Sequence, residues 1–576
     1  MHIYGVNYGG RLRMEKIKRL KDYMTEIVFG ILLLGVALLY LSRINMGMAE
    51  MDESFYLTIP LRLAQGDALL VDEWHVSQLA GFLTYPLMKV YLWVTGGNTE
   101  GIVLHFRYIY LLIQMAVTVA GYMCLRKREK WMAVIVSLIY ALFTPFGIKA
   151  LSYNTMGLMA TYLFVVLGLT AFRSDWLKYV LMGVLLAAAV LCNPYMVVLY
   201  GILAVAAFVA WIFVRGKLLW KRLLWLTLGA GALFVLFMGL ELSRASVSQI
   251  LDSFQFVAGD AAHKSKGFWA VFNSFRYYLR EYPGYFWWWL IGVLTGLTVR
   301  KSSPGCFAVI SIASIKLTLH FALDLTNGIG YSAMMIPLSF TGLAAFLLSE
   351  KRRWSLLGGW AIGFLYCLCM SASSNNGIYT FANASTVGTC VGLLMIYDFL
   401  AGQLEGKVLN QLAAVAMVML IGIQFSAESY VLLNHIFWES GPKTLTTKVE
   451  GGHLDGVYTT QGKAKKYQTN LENITRLKEY EGDHVLFYCR FPGGYLIMND
   501  WNNGANSAWL ADSVKDLNDV RMDEYAKRHP EKTPDVIYVD ADSKGVWSDG
   551  QWADYCERNG YRMEKLDGGA FALVKE

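Results

Sequence analysis

The sequence has 576 residues, of which 55% are hydrophobic and 16% are charged, with a mean hydropathy of +0.38. A soluble globular protein carries about 25% charged residues, so this composition excludes a soluble globule and indicates a membrane protein. The 51 basic and 44 acidic residues give a net charge of +7. The basic residues form short clusters between apolar runs, not a basic face studded with aromatic residues, so we expect no nucleic-acid partner.

The chain divides into two parts of different charge. Residues 1–442 hold 33 basic and 22 acidic residues, whereas residues 443–576 hold 18 basic and 22 acidic residues. The first part therefore predicts a transmembrane domain, and the second part predicts a soluble domain outside the membrane.

About thirteen apolar stretches are long enough to cross roughly 30 Å of hydrocarbon. They lie near 24–42, 104–124, 131–148, 155–172, 178–192, 195–214, 221–241, 285–299, 305–323, 331–348, 355–372, 378–400 and 409–432. The basic clusters before the first stretch and after the second, sixth, eighth and tenth fall on one side if the stretches alternate. The positive-inside rule then predicts a cytoplasmic N-terminus, two long outer loops at 43–103 and 242–284, and an extracytoplasmic domain at 443–576.

The first outer loop begins with an acidic, amphipathic segment. Leu57, Leu61 and Ala64 share one face, which predicts a helix lying on the membrane surface, kinked at Pro60 and ended at Gly66.

Asp52 and Tyr56 lie four residues apart near the start of this helix, so they share a face. Repulsion from Glu53 at the edge of the hydrocarbon can prepare one carboxylate as a base or a ligand. A solvated acidic helix start remains the alternative.

A second segment of the same loop holds Trp74, His75, Ser77 and Gln78. Ser77 is a candidate N-cap for a second interface helix, which places His75 in the entering turn. We consider His75 and Gln78 as substrate-binding residues, with a structural role for the histidine equally open.

The segment Asp52-Glu53-Ser-Phe-Tyr56, in the first outer loop after one N-terminal span, resembles the polyprenyl-phosphate-dependent glycosyltransferases of the GT-C class. Protein O-mannosyltransferases and the lipid A aminoarabinose transferase are the members of this class with a similar arrangement. The resemblance covers the whole architecture and implies a polyprenyl-phosphate sugar donor, with a glycan, lipid or protein as acceptor. It implies that Asp52 is the catalytic acidic residue and that Glu53 is a second acidic residue of the site. Where those relatives carry a Pro-Pro segment, this chain has Trp74-His75-Val-Ser-Gln78, so donor and acceptor identities do not carry over.

The chemistry fits this resemblance independently. A polyprenyl phosphate is a good leaving group, so transfer needs a carboxylate to deprotonate the acceptor and cations to hold the phosphate. Attack opposite the leaving group inverts the anomeric centre.

Several cations on the outer side break the charge bias of the loops. Lys149 follows the third span, near Asn154, and the second long loop holds His263, Arg276 and Arg280. We predict a phosphate clamp among Lys149, Arg276 and Arg280, and substrate binding by Asn154 and His263. Anchoring to lipid headgroups and snorkelling of Lys149 are the alternatives.

In the ninth span, Lys316, His320 and Asp324 recur every four residues and share a face near the outer surface. We predict a substrate wall that includes His320 and Asp324, with a structural polar ladder as the alternative.

The C-terminal part reads as a small α/β domain. Strand-like runs at 485–488, 536–539 and 570–574 alternate with helical stretches near 462–480, 513–529 and 549–559. Its tryptophans, Trp501, Trp509, Trp547 and Trp552, are more typical of core than of sugar-stacking residues. Cys489 and Cys556 can pair if this part faces an oxidising space.

The favoured function is therefore a lipid-linked sugar transferase at the outer face of a cell membrane, in a bacterial envelope. A lipid or glycan transporter and a non-catalytic glycan-binding membrane protein are the alternatives, although no inverted repeat supports transport. No cofactor is specified. A divalent metal stays open because no ligand set of fixed spacing occurs.

Overall fold

The structure is a computed structural model of the full chain. It describes residues 8–214, 217–258, 269, 272–273, 276, 283–324, 330–374, 376, 378–402, 408–488, 491–510, 515–543, 545 and 547–576.

The described residues between Tyr8 and Asn434 form a helical bundle. Its helices are α1 Tyr8–Leu41, α2 Glu50–Gln65, α3 Gly81–Thr95, α4 Ile102–Leu125, α5 Lys130–Leu142, α6 Tyr153–Leu169, α7 Asp175–Cys192, α8 Val197–Val214, α9 Lys217–Leu242, α10 Val247–Ala258, α11 Pro283–Thr298, α12 Ser303–Leu323, α13 Gly330–Ala333, α14 Met335–Leu348, α15 Trp354–Ala372, α16 Ile378–Ala384, α17 Thr386–Ala401 and α18 Val408–Asn434.

Within the described ranges, nine helices are long and apolar enough to cross a membrane. The remaining predicted spans coincide with shorter apolar helices, namely α5, α6, α11 and α17. The chain is therefore a multi-pass helical membrane protein, as the composition predicts. The side of the membrane on which each end lies stays a prediction.

Small residues let the bundle helices approach closely. A side chain on Gly342 of α14 would overlap the backbone of Gly392 on α17. A side chain on Gly183 of α7 would overlap the backbone of α9 near Leu226, and Gly229 of α9 meets Val180 in the same way. Such contacts are how membrane helices pack when lipid removes the hydrophobic drive between them.

The C-terminal domain is a small α/β domain, as predicted. It contains a two-stranded ribbon, β1 Thr447–Lys448 and β2 Tyr458–Thr459, then α19 Gln461–Leu477, β3 His484–Tyr488, α20 Gly494–Ile497, β4 Asn502–Asn503, α21 Lys515–Arg528, β5 Val536–Val539, α22 Asp549–Asn559, β6 Tyr561–Lys565 and β7 Phe571–Lys575.

Five strands make one mixed sheet in the order β4-β3-β5-β7-β6, in which β3 runs parallel to β4 and β5, and β7 is antiparallel to its neighbours. The three predicted strands and three predicted helices are confirmed. Strand β6 is missing from the sequence prediction because its charged residues hide the alternation of an edge strand.

The tryptophans of this domain belong mainly to its core. Trp501, Trp547 and Trp552 are buried, and Trp509 is partly buried, so the prediction of core residues is confirmed. Cys489 lies outside the described residues, so the predicted pairing with Cys556 stays a prediction.

Helix α2 lies between the two parts of the chain. Leu57 and Leu61 pack into the core of the membrane bundle. Phe55, Ile59 and Leu63 pack against the C-terminal sheet. The predicted apolar face is confirmed, as is the end at Gly66, whose φ of 116° favours glycine. The expectation that this helix lies at the membrane surface stays a prediction, and the C-terminal domain covers its other face.

Candidate active site around Asp52

Asp52 lies in the first turn of α2, where the membrane bundle, the segment 43–103 and the C-terminal domain meet. Its carboxylate is partly exposed, and its Oδ2 atom accepts a hydrogen bond from Nε1 of Trp438 at 3.2 Å. Trp438 is on the connection that leaves α18 for the C-terminal domain. The predicted catalytic carboxylate is thus a solvent-reachable group at the junction of three elements.

Two tyrosines, Tyr56 and Tyr153, lie near Asp52. Tyr56 is one helical turn along α2, and its ring meets the ring of Tyr153 edge-on, with centroids 6.0 Å apart. Burial, followed by the nearby charges of Asp52 and Tyr153, raises the pKa of Tyr56 well above its usual value. Tyr56 therefore stays a neutral hydrogen-bonding group, and its role in substrate binding stays a prediction.

Glu53 is buried and held by Arg107 of α4. The Nε and Nη2 atoms of Arg107 donate to the two carboxylate oxygens of Glu53 at 2.8 and 2.5 Å. Arg107 also donates to the carbonyl oxygens of Ile44, Met46 and Gly47. This bidentate pair fixes the turn that enters α2, so Glu53 lies in position to orient Asp52.

Lys149 is the second buried cation behind this turn. Its ammonium donates one hydrogen bond, to the carbonyl oxygen of Arg43 at 3.1 Å, and only 6% of the residue is exposed. Burial, followed by repulsion from Arg107, lowers the pKa of Lys149 to about 7.

Two small cavities meet at Lys149. One is lined by Glu53, Arg107 and Ile436, and the other by Glu428, His435 and Tyr331. Each has room for about one or two water molecules. In the second cavity, Glu428 Oε2 and His435 Nε2 are buried without a hydrogen-bond partner among the described residues. Burial lowers the pKa of His435 to about 4, so its imidazole is neutral.

Glu50 lies one helical turn before Glu53, the residue that pairs with Arg107, and it faces the C-terminal domain. Burial, followed by the charge of Asp540 at the end of β5, raises the pKa of Glu50 to about 8. Lys466 pairs with Asp540 and Asp542 nearby. This edge of the sheet, where the parallel strands end, therefore closes over the start of α2.

His75 and Gln78 take part in the fold of the first outer loop. His75 is 5% exposed and packs against the rings of Phe55 and Trp509, which also contact each other. Its Nδ1 atom accepts from the backbone N–H of Ser77 at 3.2 Å. The Oε1 atom of Gln78 accepts from the backbone N–H of Leu70 at 2.6 Å. Their substrate-binding role stays a prediction.

The prediction of Ser77 as an N-cap is wrong in its chemistry. Its side chain makes no capping bond to the short helix that follows, and its hydroxyl lies 2.8 Å from Nδ1 of His75. The histidine competes successfully for the hydroxyl because it lies two residues away and is fixed by the aromatic rings.

The remaining predicted residues are spread over the bundle. Asn154 is buried beside Tyr153, and its Oδ1 atom makes no hydrogen bond within the described part of the chain. Arg276 is exposed, whereas His263 and Arg280 lie outside the described residues. His320 is exposed at the end of α12, and Asp324 is partly exposed just beyond it. Their roles, including that of Arg276 in phosphate binding, stay predictions.

Among the described residues, one group of side chains could hold a metal ion. The ligand atoms of Asp483, His484 and Asp535 lie within 4.8 Å of one another. These residues stand where β3 and β5 begin, whereas Asp540 stands where β5 ends, so the group lies at the sheet edge opposite the one that faces Glu50. The Asp52 region thus has no metal group of this kind in the described ranges.

Three residues of this site were not predicted from the sequence, namely Arg107, Trp438 and Glu428. Arg107 and Glu428 each interrupt an apolar span, and an ionisable residue inside a span is a signal for a functional or structural partner. Trp438 carries no such signal, because its partner Asp52 is 386 residues away.

Comparison with known proteins returns matches among solved structures. No family model and no curated protein matches the chain. The oligosaccharyltransferase AglB from Archaeoglobus fulgidus, in complex with an inhibitory peptide and a dolichol-phosphate, is 12% identical with a TM-score of 0.44, over 97% of this chain and 75% of that one. ArnT from Cupriavidus metallidurans, bound to undecaprenyl phosphate, is 11% identical with a TM-score of 0.46, over 96% and 98%. Both are glycosyltransferases of the GT-C class, which the sequence also resembles.

Proposed function

We propose that this protein transfers a sugar from a polyprenyl-phosphate donor to an acceptor hydroxyl, at the outer face of a cell membrane, with Asp52 as the general base. The observation that carries the proposal is the placement of Asp52. It is a partly exposed carboxylate on α2, and the next residue, Glu53, lines a cavity with the buried cations Arg107 and Lys149. A base on the open side and positive charge on the membrane side are what this reaction requires.

The reaction proceeds by one displacement at the anomeric carbon. The acceptor oxygen forms a bond to that carbon while its proton passes to the Asp52 carboxylate. The bond between the anomeric carbon and the phosphate oxygen breaks, and its electron pair stays on the phosphate. The products are an inverted glycoside and the polyprenyl phosphate.

The cations behind α2 have different tasks in this proposal. Arg107 has its donors engaged by Glu53 and three carbonyl oxygens, so it holds the loop in place. Lys149 makes a single hydrogen bond within the described part of the chain, which leaves its ammonium able to bind the phosphate oxygen that gains charge.

Asp52→Asn tests the proposal. Asparagine keeps the shape and can still accept the hydrogen bond from Trp438, but it cannot take a proton, so transfer should fall by about 10²–10⁴. Donor binding should persist. The assay follows labelled sugar from a polyprenyl-phosphate donor into an envelope extract, beside undecaprenyl-phosphate binding to the same purified full-length variant.

Two variants serve as controls. Asp554→Asn makes the same change at an exposed position of the C-terminal domain and should leave transfer unchanged. Glu53→Gln should reduce transfer less than Asp52→Asn, because Glu53 orients α2 and takes no proton. Undiminished transfer by Asp52→Asn would remove this carboxylate from the mechanism, and the opposite ranking of the two acids would assign the base to Glu53.

A further inference from the structure

Trp438 combines high exposure with a fixed position. It is 67% exposed, although large aromatic side chains are usually buried in part or whole. It lies outside the membrane-spanning helices, four residues after α18 ends at Asn434. Exposure at this point brings an indole ring to the open side of Asp52.

Contacts on both sides hold this tryptophan in place. Its Nε1 atom donates to Asp52 at 3.2 Å, and its carbonyl oxygen accepts from Nζ of Lys463 at 2.7 Å. The next residue, Glu439, accepts from the backbone N–H of Met48 at 3.0 Å and pairs with Lys463 at 3.0 Å. The exposed indole is therefore tied to α2 through Asp52 and to the C-terminal domain through Lys463.

The backbone at Trp438 has an uncommon conformation. Its φ is +55°, in the left-handed region, which bulky side chains seldom adopt. Such a conformation persists where the surroundings impose it, and it often occurs at functional sites. A more relaxed backbone would direct the ring away from Asp52.

The surroundings of the indole suit a sugar. A pyranose presents an apolar C–H face and a rim of hydroxyl groups. The exposed indole offers an apolar surface, and the partly exposed side chains of Asp52 and Lys463 offer charged groups near it. An aromatic ring with one wet edge is suited to a ligand of this mixed character.

The position of Trp438 favours the acceptor over the donor. The cations Arg107 and Lys149 lie on the bundle side of α2, where positive charge suits the donor phosphate, whereas Trp438 is bonded to the C-terminal domain through Lys463. We propose that Trp438 is the platform on which a pyranose ring of a carbohydrate acceptor stacks, with one of its hydroxyl groups directed to Asp52. This inference rests on the proposed function and names the class of its acceptor.

The platform can be tested by binding, without turnover. Full-length protein in lipid nanodiscs is labelled with fluorotryptophan, and the Trp438 signal is assigned as the one that Trp438→Phe removes. Methyl pyranosides of several hexoses are then titrated and followed by fluorine NMR. Trp354 is the matched control, because it is 66% exposed and begins α15 on the side predicted to be cytoplasmic.

We expect the Trp438 signal to shift with millimolar pyranoside while the Trp354 signal stays constant. In the transfer assay, Trp438→Ala should raise the KM for the acceptor about tenfold, with a smaller change in kcat. Trp438→Phe keeps an aromatic face and should recover most of that loss. Thermal unfolding of each variant confirms that it is folded.

Three results would overturn the platform. These are a Trp438 signal that no pyranoside shifts, a signal that shifts with undecaprenyl phosphate alone, and a signal that responds only to the lipid of the nanodisc, as an interface anchor would. Failure of the proposed function looks different, because either the parent protein would transfer no sugar or Asp52→Asn would keep full transfer, whatever the tryptophan signal does.

Discussion

The buried cations behind Asp52 differ in how much of their hydrogen-bonding capacity the protein uses. Arg107 binds Glu53 in a bidentate pair and three backbone carbonyl oxygens. Lys149, at 6% exposure, makes one hydrogen bond among the described residues, to a carbonyl oxygen. A buried ammonium with so few partners is costly, and its lowered pKa expresses that cost. An anionic oxygen placed beside this ammonium would relieve it.

Lys149→Met should abolish the pH dependence of phosphate binding. Because burial, followed by repulsion from Arg107, lowers the pKa of Lys149 to about 7, its ammonium is present below that pH and lost above it. Binding of undecaprenyl phosphate should therefore weaken as the pH rises through about 7 in the parent protein. The phosphate itself gains charge in this range, so a decline reports on the protein. Methionine removes the charge, which should weaken binding at low pH by about tenfold or more.

The same lysine predicts an effect on stability of the ligand-free protein. Its folded pKa lies below its unfolded value of 10.5, so the unfolded chain binds more protons between about pH 7 and 10.5 and stability rises with pH in that window. Relative to the parent protein, Lys149→Met should gain the most stability below pH 7. The exposed Lys127→Met should change neither the stability nor the binding of undecaprenyl phosphate. Thermal unfolding with and without undecaprenyl phosphate, with undecaprenol as the phosphate-free lipid, measures both. Unchanged binding by Lys149→Met at low pH would assign the clamp to other cations.

At the scale of the element, α2 joins the two parts of the molecule through opposite faces. Leu57 and Leu61 pack into the bundle, and Phe55, Ile59 and Leu63 pack into the core of the C-terminal domain. Ser54 adds a polar link, because its hydroxyl lies 3.0 Å from Nε2 of the fully buried His453. The position of Asp52 therefore depends on both parts being docked.

Gly493→Ala should loosen this docking. The added methyl group would lie 2.3 Å from Nε2 of His453 and 3.3 Å from Oγ of Ser54, so the histidine must move away from α2. The backbone φ of Gly493 is −62°, which alanine adopts readily, so the effect is one of space. Overpacking of this kind costs about 1–3 kcal/mol.

Gly462→Ala is the matched control, because nothing lies within 4 Å of the added methyl group and alanine favours its helix. Differential scanning calorimetry and limited proteolysis of the connection at 435–446 measure the outcome. Equal stability and equal cleavage of the two variants would show that the C-terminal domain does not depend on this contact.

The sequence predicts the apolar face of α2 that packs into the bundle and singles out Asp52 in its first turn. It does not predict the contacts of the other face of α2, for physical reasons. The spacing of Leu57, Leu61 and Ala64 is visible in the sequence, but the contact of Phe55 and Ile59 with a sheet more than 400 residues away is not. A helix with partners on both sides lacks the polar face by which an amphipathic helix is recognised. For the same reason, the pairing of Glu53 with Arg107 could not be read from either segment alone.

At the scale of the whole molecule, the proposed reaction requires the C-terminal domain and the start of α2 to be on the outer side. The two cannot lie on opposite sides, because strand β2 bonds to the turn before α2, with Tyr458 N–H donating to the carbonyl oxygen of Asn45 at 2.7 Å. The basic clusters favour the opposite side for the short connections of the bundle. The C-terminal domain and the start of α2 therefore share one side of the membrane, and a single measurement of orientation applies to both.

We predict that an impermeant reagent reaches a C-terminal tag in intact cells but does not reach a tag inserted between Lys127 and Lys130. Those residues belong to a short basic connection between α4 and α5, which the positive-inside rule places in the cytoplasm. Both tags should react after permeabilisation, which controls for burial. A third tag after Gly96, at the end of α3, should react like the C-terminal tag because α3 belongs to the first outer loop. Labelling of the α4–α5 tag alone in intact cells would invert the molecule and place Asp52 in the cytoplasm, where a lipid-linked donor would have to be used before it crosses the membrane.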